Sequence, residues 1–170
     1  TINFREAYGM FGCAGILFNH ESQRRGLDFV TRKVTNGVAR IKARLDTHIV
    51  MGNMDAYRDW GYAKDYVKMM NLMLDADTPQ EYVIATGKQY SVREFVEHCC
   101  HKLKLSIQWK GEGINEVGMI DGIERVLIDE KYFRPAEVET LLGDASLAFK
   151  ELGWKPKISF ETLVSEMIDS

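Results

Sequence analysis

The chain has 170 residues, roughly one domain, and its 45% apolar content is enough to fill a sizeable core. With 22 basic against 25 acidic residues the formal charge is −3, which sets up no strong field and excludes a sequence-independent nucleic-acid binder. No apolar run approaches the roughly 18 residues that span a bilayer, Thr1 to Tyr8 is no signal peptide, and three cysteines make no even disulfide framework, so a cytoplasmic protein without a membrane partner is expected.

Thr1 to Tyr8 runs into Gly9 as a helix runs into its C-cap, with no start signal before it, so the chain is expected to begin within an element. Met10 to Phe18 is a short apolar run that reads as a strand covered on both faces. The polar stretch from Asn19 to Asp28 reads as a surface loop leaving the strand's carboxyl end. Helical periodicity runs from Asp28 or Thr31 to Leu45, with Val30, Val34, Val38 and Ile41 inward and Gly37 a weak point. Thr47 to Met51 is a strand closed by Gly52-Asn53. Ala63 to Leu74 is a helix, with Tyr66, Val67, Met70 and Leu74 at its spacing, and Glu81 to Ala85 is a second apolar strand.

Ser91 and Glu94 form a capping box, because each side chain satisfies an amide that the start of a helix leaves free; that helix runs to about Leu103. Residues 104 to 130 read as loop-rich, with short β pieces at Ile107 to Trp109 and Val126 to Ile128 between glycines. Ala136 to Leu142 reads as a helix or turn, Gly143-Asp144-Ala145-Ser146 as the start of another helix that Gly153-Trp154-Lys155-Pro156 stops, and Ser159 or Phe160 to Ile168 as a last amphipathic helix. Strands alternating with helices favour an α/β fold with a parallel sheet.

Parallel sheets meet ligands beyond the carboxyl ends of their strands, which raises the interest of Asn19, His20, Glu21 and Ser22. Capping of the next turn is the plainer use of such residues. Arg24 and Arg25 beside them suit phosphate oxygens, or are solvated charge. Arg58-Asp59-Trp60 is either a phosphate clamp among aromatics or an Arg–Asp pair on the rim with Trp60 in the core. Arg134 and Glu137, one helical turn apart, suit a phosphate and a sugar diol, or pair with each other. His98-Cys99-Cys100-His101 carries metal-binding residue types, but Cys99 falls in the buried stripe Val92, Phe95, Val96, Cys99, Leu103, with Cys100 turned about 100° away, so no metal site is expected. Gly-x-Gly-x-x-Gly, P-loop and nucleophile-elbow motifs are absent from the chain.

The string Gly15-Ile-Leu-Phe-Asn-His-Glu-Ser-Gln-Arg-Arg-Gly26, followed by Phe29-Val-Thr-Arg-Lys33, closely resembles the GDP-mannose 4,6-dehydratase family of extended short-chain dehydrogenase/reductases. Arg58 to Val67, Tyr132 to Val138 and Leu152 to Pro156 continue the likeness in the family's order, over nearly all 170 residues. Gln23 departs from the family's usual Pro, and Met119-Ile120-Asp121 replaces a more basic stretch.

The resemblance implies an incomplete Rossmann-like parallel sheet, its C-terminal part, in residues 1–32 and 56–88, and a smaller α/β substrate-binding domain in 33–55 and 89–170. It implies that Met10 to Phe18 and Glu81 to Ala85 are parallel strands of one sheet. It assigns His20 and Arg25 to NADP, and Asn19, Lys33, Arg58, Arg134 and Glu137 to GDP-mannose, with Lys33, Arg58 and Arg134 converging on one anionic site. It assigns no catalytic residue to this chain, because the family's Thr, Glu and Tyr-x-x-x-Lys belong before Thr1. The chain is then the C-terminal half of an enzyme converting GDP-mannose to GDP-4-keto-6-deoxymannose, inactive alone and a dimer or tetramer when complete. The alternatives are a non-catalytic nucleotide-sugar-binding module and another extended short-chain epimerase or dehydratase.

Overall fold

A computed structural model describes residues 1–133 and 138–170. The first helix, α1 (Ile2–Tyr8), stops at Gly9, whose φ of 62° is the left-handed conformation expected of a C-cap glycine. Then come β1 (Ala14–Leu17), β2 (Asn19–Glu21), α2 (Val30–Lys42), β3 (Ile49–Met51), β4 (Tyr57–Arg58), β5 (Trp60–Tyr62) and α3 (Ala63–Leu74). The second half carries β6 (Glu81–Ile84), β7 (Tyr90–Ser91), α4 (Val92–Lys102), β8 (Ile107–Lys110), β9 (Val117–Ile120), β10 (Ile123–Ile128), α5 (Ser146–Leu152) and α6 (Phe160–Ile168).

Two compact units share the chain. The first comprises Thr1–Glu21, Asp59–Gln89 and Leu142–Phe160. In it β1 and β6 pair in parallel, Ala14 opposite Glu81 through Leu17 opposite Ile84, as expected of the two apolar runs. Asn19 to Glu21 is not the expected loop: it forms β2, parallel to β5, with Asn19 opposite Trp60. The core gathers Tyr66, Met69, Met73, Tyr82, Ile84, Ala148 and Trp154. The inward face of α3 therefore runs through Tyr66, Met69 and Met73, and the expected Val67, Met70 and Leu74 are exposed. Both sets repeat at helical spacing, and only the packing partner decides between them. Ile16 on β1 and the preceding Met10 and Phe11 are also exposed, so the described residues do not give this strand the expected cover on both faces.

The second unit comprises Ser22–Arg58, Tyr90–Leu141 and Glu161–Ser170. Its sheet has the order β3-β10-β9-β8, with β10 parallel to β3 and antiparallel to β9. Residues 104 to 130 are thus mostly sheet. The expected loop-rich reading fails because the glycines do not break the sheet: Gly118 pairs within β9, while Asp121 (φ 49°) and Gly122 (φ 81°) link β9 to β10 as a two-residue turn that needs positive φ at both positions. Helices α2 and α4 pack together, and at Gly37 the helix α2 comes so close to β3 that a Cβ there would lie 2.2 Å from Ile49 Cγ2. The Ser91–Glu94 capping box forms as expected.

The unit boundaries differ from the expected domain limits. Leu142–Phe160 joins the first unit because Ala148 and Trp154 enter its core. Residues 22–32 join the second because α2 is one helix across residue 32, and Tyr57–Arg58 joins it by pairing with Tyr90–Ser91. The described residues 138–142 form no helix; Thr140 bridges to Tyr57.

Candidate functional site

In the first unit the carboxyl end of β1 leads through Phe18 into β2. His20 Nδ1 lies 3.0 Å from the Phe18 carbonyl. A carbonyl only accepts, so Nδ1 carries the proton and Nε2 is the ring's other polar atom. The imidazole also lies tilted against Tyr66, with centroids 5.2 Å apart. Tyr66 is fully buried, and burial, reinforced by the Asp59, Glu21 and Asp65 charges, pushes its phenol well above the ordinary tyrosine range. It acts here as a rigid, neutral wall for His20. Asn19 is half-buried in β2.

Asp59 is fully buried, so the expected rim position is wrong, while Trp60 beside it is in the core. The Asp59 carboxylate accepts from Thr86 N (2.8 Å), Thr86 Oγ1 (2.6 Å), Gly87 N (2.9 Å) and Gly143 N (3.3 Å). It fixes the turn that leaves the carboxyl end of β6. Asp65, also buried, accepts from the Lys157 and Ile158 amides, and its carbonyl accepts from Trp154 Nε1. An open cleft of about 600 Å³ between α3 and residues 152–157 has Lys68, Lys155 and Lys157 at its rim, and none of the expected site residues lines it.

In the second unit Arg25 closes a turn through its amide to the Ser22 carbonyl, and its guanidinium lies 3.5 Å from the centroid of Phe29. One helical turn on, the Lys33 amide donates to the Phe29 carbonyl and its ammonium sits 3.8 Å from the centroid of Tyr132. Burial, and then the Lys131 charge, hold Lys33 below the ordinary lysine range. Lys131 is paired with Asp129 at 2.9 Å, whereas no carboxylate among the described residues lies within ion-pair distance of Lys33. Arg58 sits on β4 opposite Tyr90 and donates from Nη1 to the Tyr57 carbonyl at 2.7 Å. Arg134 and Glu137 lie outside the described residues.

A brace absent from the sequence reading supports the strand that carries Arg58. The Arg93 guanidinium pairs with Glu116 and with Asp55 (2.7 Å) and lies 4.8 Å from the Trp109 centroid. The Arg93 and Val92 amides donate to the Met54 and Ala56 carbonyls. No local signal marks this brace, because Glu116, Asp55 and Trp109 reach Arg93 from distant positions in the chain. Cys99 and Cys100 are both fully buried, so the helical angle between them does not bring Cys100 to the surface.

The profile of the family described as GDP-mannose 4,6 dehydratase matches residues 1–167. GDP-mannose 4,6-dehydratase of Vibrio cholerae serotype O1 is 52% identical, with 100% of this chain and 49% of the relative aligned. GDP-mannose 4,6 dehydratase 2 of Caenorhabditis elegans is 55% identical over 100% of this chain and 45% of its own length. The human GDP-mannose 4,6 dehydratase is 51% identical over 99% and 46%. The chain therefore spans about half the length of these relatives. Among solved structures, RMD from Pseudomonas aeruginosa complexed with NADPH aligns with a TM-score of 0.80 at 16% identity, covering 99% of this chain and 50% of that one. A UDP-glucose 4-epimerase from Thermotoga maritima, solved with UDP-glucose, reaches 0.75 at 19%, over 99% and 48%. At such identities these two show a shared α/β fold and nothing more, while the profile over residues 1–167 and the relatives at 51–55% identity go further: the chain belongs to the GDP-mannose 4,6 dehydratase family.

Proposed function

We propose that this chain is the C-terminal half of a GDP-mannose 4,6-dehydratase and supplies the nucleotide-sugar side of its active site. The observation that carries this reading is 52% identity to the Vibrio cholerae enzyme along the whole of the chain. The first unit is then part of the NADP domain and the second the GDP-sugar domain.

The donor set suits both ligands. His20, oriented by the Phe18 carbonyl at the carboxyl end of a parallel strand pair, and the Arg25 guanidinium are the groups for NADP. NADP, when bound, supplies reversible hydride transfer to the sugar and is regenerated in each turnover. Lys33, Arg58 and Arg134 offset the charge of the GDP pyrophosphate, and Asn19 and Glu137 hydrogen-bond hydroxyls or base. Lys33 fits that task by its chemistry: an ammonium held against a ring, with no carboxylate neutralising it among the described residues. None of these residues moves a proton. They hold the sugar in place, and orientation alone is worth several kcal/mol of barrier. The acid and base groups belong to the other half, in a cytoplasmic homo-oligomer.

The test is turnover by the full-length protein that contains this chain. Mass spectrometry should show GDP-mannose losing one water, without net consumption of NADP. Binding of GDP-mannose with no turnover would instead make it a nucleotide-sugar-binding module. Preference for a uridine or thymidine sugar in competition would move it to another branch of the extended short-chain enzymes. Upstream coding sequence should show a Gly-rich dinucleotide turn and a Tyr-x-x-x-Lys pair.

A further inference from the structure

Lys33 is a half-buried cation whose ammonium lies against an aromatic ring. Its ammonium sits 3.8 Å from the Tyr132 centroid, close enough for the ring's negative face to attract it. The same ring has Lys131 4.9 Å away, but that charge is taken up by Asp129. Of the two cations on the ring, only Lys33 therefore retains an unneutralised charge among the described residues.

Tyr132 is itself held by its backbone. It ends a short 3-10 turn, Glu130–Tyr132, with its amide donating to the Asp129 carbonyl at 3.1 Å. The Asp129 amide donates to Met51 at the end of β3, and the Asp129 carboxylate accepts from the Lys131 amide. Gly52 follows directly, and a Cβ there would lie 2.6 Å from the Tyr132 carbonyl oxygen. Only glycine lets the two backbone segments approach so closely, so the turn is clamped to the sheet edge and the Tyr132 backbone, from which the ring reaches Lys33, has a fixed place.

We infer that Tyr132 is a positioning residue for the bound nucleotide sugar: its ring, set by the Gly52 contact, holds the Lys33 ammonium where it meets a diphosphate oxygen. This rests on the proposed role of Lys33 and adds a residue to which no ligand role was assigned. A four-carbon lysine stem free in solvent would have to be ordered as the anion binds. A stem already lying on an aromatic face has met that cost, so losing the ring weakens ligand binding even though Tyr132 need not touch the ligand.

The experiment is calorimetric titration of the full-length protein with GDP-mannose and, separately, NADP, together with steady-state kinetics. Tyr132→Leu should weaken GDP-mannose binding roughly tenfold, the scale of a partly desolvated cation–ring contact, and raise KM far more than it lowers kcat. Tyr132→Phe, which restores the ring, should recover most of that loss. Added to Lys33→Met, Tyr132→Leu should cost little more than Lys33→Met alone, because the two act as one unit. Additive losses, failure of Phe to recover affinity, or an equal fall in NADP affinity would each overturn the assignment of Tyr132. If Lys33→Met leaves GDP-mannose binding unchanged, the Lys33 role and this inference fall together while turnover by the wild-type protein still stands. Absence of any GDP-mannose turnover would strike the functional reading itself.

Discussion

A buried carboxylate is costly unless its lone pairs are used, and Asp59 uses both oxygens, Oδ1 on the Thr86 amide and hydroxyl and Oδ2 on the Gly87 and Gly143 amides. Asp59→Asn would turn an NH2 group toward amides that can only donate. We expect it to destabilise the intact protein by about 2–3 kcal/mol, the penalty for stranded buried donors, read as a lower midpoint in urea at unchanged slope. The cysteines give a second residue-level prediction. Burial, then the Asp121 and Glu97 charges, pushes the Cys100 thiol up to about 12, and burial raises Cys99 well above its ordinary value. Only the thiolate attacks an alkylating reagent. At pH 8 the native protein should therefore label at the half-buried Cys13 and not at Cys99 or Cys100, with all three labelling in denaturant; native-state labelling of Cys100 in mass spectrometry would contradict this.

At the scale of the element, Gly37 sets helix propensity against packing. Replacing glycine by alanine inside a helix ordinarily gains about 1 kcal/mol. Here the added methyl would meet Ile49 Cγ2 at 2.2 Å, and a crowded core loses about 1–3 kcal/mol. Packing wins, so Gly37→Ala should lower the melting temperature, and Ile49→Val in the same chain should restore part of the loss. The glycine that looked like a weakness in α2 is what lets the helix lie on its sheet. Helix α3 teaches the complementary lesson: its ends follow local rules, but its apolar residues surround it so widely that Val67, Met70 and Leu74 remain exposed.

On the scale of the whole molecule, each unit is assembled from three separated segments, so no contiguous stretch of the chain reproduces either one. Arg58 closes a segment of the second unit, where β4 pairs with β7. In the full-length protein Arg58→Ala should weaken GDP-mannose binding by about 1.5–3 kcal/mol, as for a charged hydrogen bond, and leave NADP affinity nearly unchanged. Calorimetry with both ligands checks it. Equal losses would indicate a folding defect, and an unchanged GDP-mannose affinity would remove Arg58 from the site. Among the described residues no helix is long and apolar enough to cross a membrane.

What the sequence determined by itself is what a few neighbouring residues decide. Gly9 and Gly153 end helices because each takes a positive φ within one turn, and Ser91 with Glu94 begins one because both partners lie within four residues. The apolar runs of β1 and β6 were legible for the same reason, as was the family likeness in Asn19 to Gly26 and Arg58 to Val67, which are contiguous strings. Tertiary structure alone decided which face of α3 is buried, that Asn19 to Glu21 pairs with Trp60 to Tyr62, and that Asp59 anchors Thr86, Gly87 and Gly143. It alone placed Tyr132 under Lys33 and Glu116 against Arg93. Each of these contacts joins residues far apart in the chain, and no local propensity specifies which distant side chain will be there when the backbone closes.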